Sequence, residues 1–221
     1  MFKRRSCNVT FIIAITILII IFIGLLYDFN IIPHRAYTDA DFGIEPYLSQ
    51  VDQDGDGLDD QTDILVSARG YLAANPVYQS RYYAGGYPDD GYGVCTDVVA
   101  QALMGAGYDL MELVDQDIHD SPESYDVDIP DKNIDFRRVK NLQVYFHRHA
   151  QVLSTNPRQF TEWHGGDIVV FRDHIGIVSD RRNKNGVPFL IHHYNPLQAT
   201  YEEDVLESYS AEDIIGHYRI S

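Results

Sequence analysis

The sequence predicts an α+β domain in which N-terminal helices pack on a small antiparallel β-sheet, preceded by one transmembrane helix. Apolar residues with helical spacing come first, at Ile64, Leu65, Ala68 and Leu72. Short β-rich runs bounded by turn residues follow from Gly166 onward. Helices followed by strands are typical of α+β domains with an antiparallel sheet.

The N-terminus predicts a membrane anchor. Residues 10–27 contain no charged side chain, and a helix of that length spans about 27 Å, close to the hydrocarbon thickness of a bilayer. The run ends at Gly24-Leu25-Leu26-Tyr27, which offers no small-residue cleavage site. A signal-anchor helix is therefore favoured over a long cleaved signal peptide, which remains the alternative.

The charge balance argues against a nucleic-acid partner. Lys3, Arg4 and Arg5 precede the apolar run, which predicts that residues 1–9 are cytoplasmic and that the C-terminal domain is extracytoplasmic. Without these three, 14 of the 17 basic residues remain against 33 acidic ones, a net charge of −19. A surface this acidic repels a phosphate backbone.

The remaining chain divides into three parts. Residues 28–50 are predicted to be a linker, residues 51–63 an acidic loop and residues 62–221 the main domain. Within that domain a helix is expected over 61–74, a Tyr- and Gly-rich loop over 77–94 and a helix over 96–104. A largely acidic loop over 108–135, with room for a short helix at 109–114, and a helix over 141–152 follow. Strands are expected over 167–171, 174–178, 187–192 and 214–220.

Cys95 is the main candidate for chemistry. Cys7 is predicted to lie on the other side of the membrane, so Cys95 has no disulfide partner, and an unpaired thiol in an exported protein suggests use. It follows a Gly-rich loop and opens a predicted helix, whose amides and dipole are expected to lower the thiol pKa. The alternative is a buried, inert cysteine.

His174 is the predicted base, at the start of the strand His-Ile-Gly-Ile-Val. A third polar group on the next strand would orient its imidazole, as in cysteine triads. His192 is the favoured candidate, with His193 and Asn195 as alternatives. Alternation along a strand puts His192 and His193 on opposite faces, so only one can serve.

Five motifs in order carry a family resemblance: Gly93-Val-Cys95-Thr-Asp97, Asp131 to Asn141, Trp163-x-x-Gly-Asp167, His174-Ile-Gly-Ile-Val-Ser-Asp180 and Gly216-His-Tyr-Arg219. Over about residues 62–221 the chain resembles a bacterial family of exported proteins known as a domain of unknown function. That family is similar to the NlpC-type superfamily of papain-like hydrolases.

The resemblance implies a papain-like NlpC-type fold, with the nucleophile on a helix start, the histidine at a strand start and a third polar residue on the following strand. It implies amide substrates in peptidoglycan stem peptides, with no cofactor for catalysis. Tyr92 is a candidate oxyanion donor, or else a packed loop tyrosine. Arg137 and Arg138 are candidate ligands of a substrate carboxylate, or else partners of nearby aspartates.

The acidic loop predicts a second site, for calcium. Acidic side chains occupy positions 1, 3, 5, 9 and 12 of a twelve-residue calcium loop, glycine occupies position 6, and a backbone carbonyl would come from position 7. These positions are Asp52, Asp54, Asp56, Asp60, Asp63, Gly57 and Leu58, respectively. The entering helix is not evident, and aspartate at position 12 suggests weak or smaller-ion binding. The alternative is a solvated acidic linker.

The sequence thus predicts a membrane-anchored cysteine hydrolase acting outside the cytoplasm on cell-wall peptide, with a structural calcium ion. Two other functions remain open, namely an acyltransferase on the same scaffold and a non-catalytic wall-binding module with a relic thiol. A zinc site built from His192, His193 and His217 is a minor alternative, because their spacing resembles no known ligand motif.

Overall fold

The structure is a computed structural model that describes residues 3–220. Residues up to Arg35 form one compact unit and residues from Ala36 onward form another. The first unit contains helix α1 (Lys3–Asp28). Its segment Val9–Asp28 has a mean hydropathy of 3.2, and it is long and apolar enough to cross a membrane or to act as a signal sequence. Met1 and Phe2, in the predicted cytoplasmic segment, lie outside the described residues.

The second unit is α+β, as predicted. Its helices are α2 (Asp60–Ala73), α3 (Cys95–Gly105), α4 (Leu110–Asp120), α5 (Lys132–Asp135) and α6 (Val139–His149). The helix predicted over 141–152 begins two residues earlier and ends at His149, because residues 151–152 join the sheet instead.

The strands of the main sheet are β1 (Tyr37–Thr38), β4 (Gln151–Val152), β5 (Ile168–Phe171), β6 (Ile175–Arg182), β7 (Pro188–Ile191), β8 (Glu202–Glu203) and β9 (Ile214–Arg219). This sheet is antiparallel throughout, with the strand order β4-β9-β5-β6-β7-β8 and with β1 also paired to β6. Two short parallel strands, β2 (Val77–Tyr78) and β3 (Tyr92–Gly93), pair across the base of the Tyr- and Gly-rich loop.

Both faces of the sheet are covered. On β5, Ile168 and Val170 pack with the helices, whereas Val169 and Phe171 pack with Trp163 in a second apolar cluster on the other face. Alternate residues of a strand point to opposite faces, so a strand covered on both sides reads as a continuous apolar run.

Residues 37–42 fall within the linker predicted over 28–50, but they are folded as part of the domain. They form β1 and a 3₁₀ turn (Asp39–Phe42), and they belong to the second unit. The buried carboxylate of Asp39 pairs with the guanidinium of Arg182, which is fully buried on β6. An unpaired guanidinium at that position would carry a large desolvation cost, so the pair fixes this segment to the sheet.

Helices α2 and α3 pack closely. A Cβ atom on Gly105 of α3 would lie 1.9 Å from Oγ of Ser67 and 2.4 Å from its Cβ on α2. Only glycine allows this approach, and it helps to hold α3, which begins at Cys95, against α2.

Candidate functional site

Cys95 is the first residue of α3, and its side chain is half-buried. Burial raises the pKa of its thiol to about 11, while hydrogen bonds from the backbone N–H groups of Ile175, Thr96 and Cys95 itself act in the opposite direction. Ile175 is the first residue of β6 and directly follows His174, so this hydrogen bond places the sulfur at the start of β6. The expected low thiol pKa is therefore not found, because desolvation outweighs the helix amides.

His174 is connected to two further side chains on neighbouring strands. Its Nε2 lies 2.8 Å from Nδ1 of His192, and Nε2 of His192 lies 3.0 Å from Oε2 of Glu203. All three residues are at least nine-tenths buried. The structure thus brings together the predicted base and the favoured orienting histidine, and it adds a carboxylate that the sequence reasoning missed.

The order of donors along this chain follows from Glu203. An ionised carboxylate can only accept hydrogen bonds, so Nε2 of His192 carries the proton and donates it. Nδ1 of His192 is then the acceptor for the N–H of His174 Nε2. This arrangement leaves Nδ1 of His174 with its lone pair free, as a general base requires.

The imidazole of His174 is neutral over a wide pH range. Burial lowers its pKa to about 3, and a positive charge on His192 or His193 would lower it further. With the thiol pKa raised to about 11, the resting protein holds a neutral Cys95 thiol and a neutral His174 rather than an ion pair.

His193 points elsewhere, as strand alternation predicts. Its Nδ1 lies 3.3 Å from the hydroxyl of Tyr71, and its ring packs edge-on against Tyr78 and Tyr201. Its Nε2 is buried and has no hydrogen-bond partner. The side chain of Asn195 accepts a hydrogen bond from the backbone of Leu197 in a local turn. Neither alternative contacts His174 as His192 does.

Tyr92 lies on β3, with its ring 3.7 Å below the guanidinium of Arg81. Two further tyrosines, Tyr71 and Tyr78, are linked electrostatically to Cys95. Burial raises the pKa of both hydroxyls, and a thiolate at Cys95 would raise it further. No sequence spacing singled these two tyrosines out from the sixteen in the chain.

Arg137 has a structural role in this region. Its Nε and Nη2 donate to the two oxygens of Asp97, at 2.7 and 2.9 Å, and its Nη1 donates to the carbonyl of Arg81 at 2.6 Å. The Arg137–Asp97 pair is buried and ties the first turn of α3 to the Tyr- and Gly-rich loop. Arg138 is more exposed and lies 3.6 Å from Asp135. Of the two predicted substrate contacts, only Arg138 has a side chain accessible to a ligand.

The motif residues near Asp167 form a separate polar cluster. The buried carboxylate of Asp167 accepts from Nε2 of His217, from Arg219 and from Nε2 of Gln61. Trp163 stacks on the ring of His217. His217 is thus occupied in this cluster, whereas His192 contacts His174 and Glu203, so the three histidines of the zinc alternative do not form one site.

The acidic loop folds compactly. Carboxylate oxygens of Asp52, Asp54 and Asp56 all lie within 4.8 Å of one another, and the three side chains are exposed. Asp60, predicted at position 9, is instead fully buried. It accepts from the backbone of Gln53 at 2.8 Å and from the hydroxyl of Tyr108 at 2.5 Å. Asp60 therefore fixes the loop to the domain.

A sequence profile described as Domain of unknown function (DUF1287) matches residues 65–220. The chain belongs to the DUF1287 family. It is similar to "Uncharacterized protein YijF" of Escherichia coli (strain K12), with 37% identity over 157 residues, which are 67% of this chain and 74% of that protein. Cys95, His174, His192 and Glu203 all fall within the DUF1287 match, whereas the acidic loop precedes it.

Proposed function

We propose that this DUF1287 protein is a membrane-anchored cysteine hydrolase that cleaves amide bonds, with Cys95 as nucleophile and His174 as base. The observation that carries the proposal is the buried chain His174–His192–Glu203. The residue after His174, Ile175, donates its backbone N–H to the thiol of Cys95 at the start of α3. A series of hydrogen bonds that fixes one tautomer of a buried imidazole suits that imidazole to proton transfer. A thiol without a catalytic role would not need a histidine held in this way.

The reaction begins from the neutral pair. Nδ1 of His174 takes the proton from Sγ of Cys95 as the sulfur attacks the amide carbonyl, which forms an S–C bond and a tetrahedral oxyanion. The backbone N–H groups at the start of α3 are the candidate donors to that oxyanion. The protonated His174 then gives its proton to the leaving amine as the C–N bond breaks. Water, deprotonated by His174, attacks the thioester, releases the acid and restores the thiol.

Because Cys95 and His174 are both neutral at rest, proton transfer and attack occur together. A thiol with a pKa near 11 must lose its proton during the attack itself, so the orientation of His174 matters more than the resting thiolate fraction. Glu203 and His192 act as positioning residues, because they hold the base lone pair on Nδ1 and balance the imidazolium that forms.

The fold assignment and the substrate are part of the same proposal. A cysteine at a helix start, a histidine just before strand β6 and a third polar group at the end of the next strand, β7, are the features expected of a papain-like NlpC-type arrangement. Stem-peptide amides of peptidoglycan are the proposed substrate, with helix α1 as the membrane anchor on the cytoplasmic side of the wall. Arg138 is the candidate contact for a substrate carboxylate.

The deciding experiment uses the full-length protein in detergent micelles, incubated with purified peptidoglycan, and measures the released fragments by mass spectrometry. Stem-peptide fragments are expected with the wild type and not with Cys95→Ala. His174→Ala should lower the rate by about 10²–10⁴-fold, the usual contribution of a general base. Fragments that persist in Cys95→Ala would refute the mechanism.

The same preparations separate the alternatives. An acyltransferase would give new amides when a free amine is added, in place of hydrolysed ends. If the protein is a binding module, the wild type and the Cys95→Ala variant should sediment with peptidoglycan equally well, and neither should release fragments. Either outcome would replace the proposed hydrolase activity with the corresponding alternative.

A further inference from the structure

Strand β8 consists of two adjacent glutamates, Glu202 and Glu203, and neighbouring side chains of a strand point to opposite faces of the sheet. Glu203 is paired in register with Leu190, which packs in the second apolar cluster. Glu202 is paired with Ile191, which packs with the helices. Residues directly opposite each other in an antiparallel pair share a face. The two carboxylates therefore leave β8 in opposite directions, with Glu202 on the side of the helices.

Glu202 is held on that side by three donors. Nη2 of Arg69, on α2, lies 2.7 Å from its Oε1, and the hydroxyl of Ser179 lies 2.5 Å from the same oxygen. Nη1 of Arg181 lies 3.1 Å from Oε2. The side chain of Glu202 is 12% exposed, that of Arg69 is 33% exposed and that of Arg181 is 55% exposed. Ion pairs are stronger where water is excluded, so Arg69 is the main charge partner of Glu202.

Arg69 also contacts β6, so one guanidinium joins three elements. Its Nη2 lies 2.5 Å from Oδ1 of Asp180 and donates to the hydroxyl of Ser179 at 3.2 Å. The planar guanidinium carries five donors in a fixed fork, which suits several acceptors at once. Helix α2 is thereby tied to β6 and, through Glu202, to β8.

Strand β8 depends on such side-chain contacts because its backbone ladder is short. It has two residues, it pairs with β7, and it follows an irregular segment over residues 192–201. Gln198 of that segment donates to Oε2 of Glu203 at 3.2 Å. This contact lies within the same loop and strand, whereas Arg69 belongs to a helix of the domain core. The guanidinium is therefore a fixed point against which β8 is placed.

We propose that Arg69 is a positioning residue for the hydrogen bond between His192 and Glu203. By holding Glu202, it keeps β8 where the next carboxylate reaches Nε2 of His192 at 3.0 Å. Without Arg69, β8 shifts, this hydrogen bond weakens and His192 is free to adopt either tautomer. The inference rests on the proposed function, because the tautomer of His192 decides which nitrogen of His174 holds the free lone pair.

The test uses full-length protein in detergent micelles, labelled with ¹⁵N-histidine, and compares the wild type with Arg69→Met. NMR of the wild type should show a protonated Nε2 and a bare Nδ1 for His192, assigned by their loss in His192→Gln. In Arg69→Met both nitrogens should move to intermediate shifts, which indicate exchanging tautomers. We expect kcat for peptide release to fall by about 10–100-fold with KM little changed, since small displacements of a catalytic group have effects of this size.

Two further variants separate positioning from a general loss of stability. Arg69→Lys keeps the charge and the aliphatic stem but replaces the fork with a point charge, so it should fold and show smaller changes of the same kind. Arg148→Met is the matched control. Arg148 is 32% exposed and pairs with the buried Asp117 at 2.8 Å, as Arg69 pairs with Glu202. Its loss should lower the unfolding midpoint and leave both the His192 signals and kcat unchanged.

The NMR signals and the activity decide different points. His192 signals that stay as in the wild type in the folded Arg69 variants would overturn the inference, and so would equal changes in Arg148→Met. A wild type that releases no fragments would overturn the proposed hydrolase instead. In that case the NMR comparison still decides whether Arg69 fixes the tautomer of His192.

Discussion

The proton positions at three side chains decide how this site can work. Glu203 accepts from His192, which accepts from His174, so the free lone pair falls on Nδ1 of His174. The chain is directional, because a carboxylate at its end cannot donate. Reversing the last hydrogen bond would reverse the first and would place a proton on the atom that must act as base.

Glu203→Gln tests that directionality at the level of one atom. The glutamine amide can donate to Nε2 of His192, which would shift the proton to Nδ1 and turn both hydrogen bonds around. We expect kcat for peptide release to fall by about 10²-fold or more, toward the loss of the base itself, with KM little changed.

Two controls test whether Glu203 acts by fixing the positions of the protons on His192 and His174. Glu203→Asp keeps an acceptor-only group and should retain more activity than Glu203→Gln, and thermal unfolding should show that both variants remain folded. An unchanged kcat in Glu203→Gln would contradict the proposed hydrogen-bond order.

The raised pKa of Cys95 predicts slow alkylation. A Cys7→Ser background leaves Cys95 as the only thiol in the chain. Because thiolate is the reactive form, the iodoacetamide rate should be far below that of free cysteine at pH 7 and should rise toward pH 11. A rate at pH 7 above that of free cysteine would show a thiolate–imidazolium ion pair instead. The urea-unfolded protein gives the matched control.

At the scale of elements, α2 and the apolar core strands could be predicted from their periodicity, whereas most of α4 lies in a segment predicted to be an acidic loop and the two-residue strands were not predicted. The apolar spacing of Ile64 to Leu72 predicts α2 because one helix face is buried. Strand β8 has two residues and forms only by pairing with β7, as β1 forms by pairing with β6. Such strands carry no periodicity of their own.

The same limit applies to the site. Cys95, His174 and His192 lie at the starts and ends of elements that the sequence predicts, so they could be identified as candidate site residues. Glu203 lies eleven residues beyond His192, after an irregular turn, and one of two adjacent glutamates had to be chosen. Burial of the thiol, which reverses the expected pKa shift, depends on packing between α3 and β6 and has no signal in the local sequence.

The contact between α2 and α3 predicts opposite effects for two glycines. Gly105→Ala would place a Cβ 2.4 Å from that of Ser67, and we expect a loss of about 1–3 kcal/mol in the free energy of unfolding from overpacking. Gly70→Ala on α2 meets nothing within 4 Å and should gain about 0.5–1 kcal/mol from helix propensity. Chemical unfolding measures both, and a neutral Gly105→Ala would show that the two helices can separate.

At the scale of the whole molecule, buried neutral histidines link stability to pH. Burial lowers the pKa of His174 to about 3 and that of His193 to about 4, and it lowers the pKa of His164 as well. In the unfolded chain these groups have the ordinary pKa near 6.5. The folded state therefore binds fewer protons than the unfolded state below pH 6.5, and its stability must fall as the pH decreases through that range.

Substitution of one buried histidine should reduce, by about one, the difference in the number of bound protons between the unfolded and folded states. Between pH 5 and 6, ordinary carboxyl groups are still ionised in both states, so the histidines dominate the slope of unfolding free energy against pH. His193→Gln keeps a polar side chain beside Tyr71 and should flatten that slope by the equivalent of about one proton. His147→Gln, at an exposed position on α6, should leave the slope unchanged. Equal slopes for His193→Gln and the wild type would mean that His193 titrates normally in the folded protein. Its buried Nε2–H would then need a hydrogen-bond acceptor.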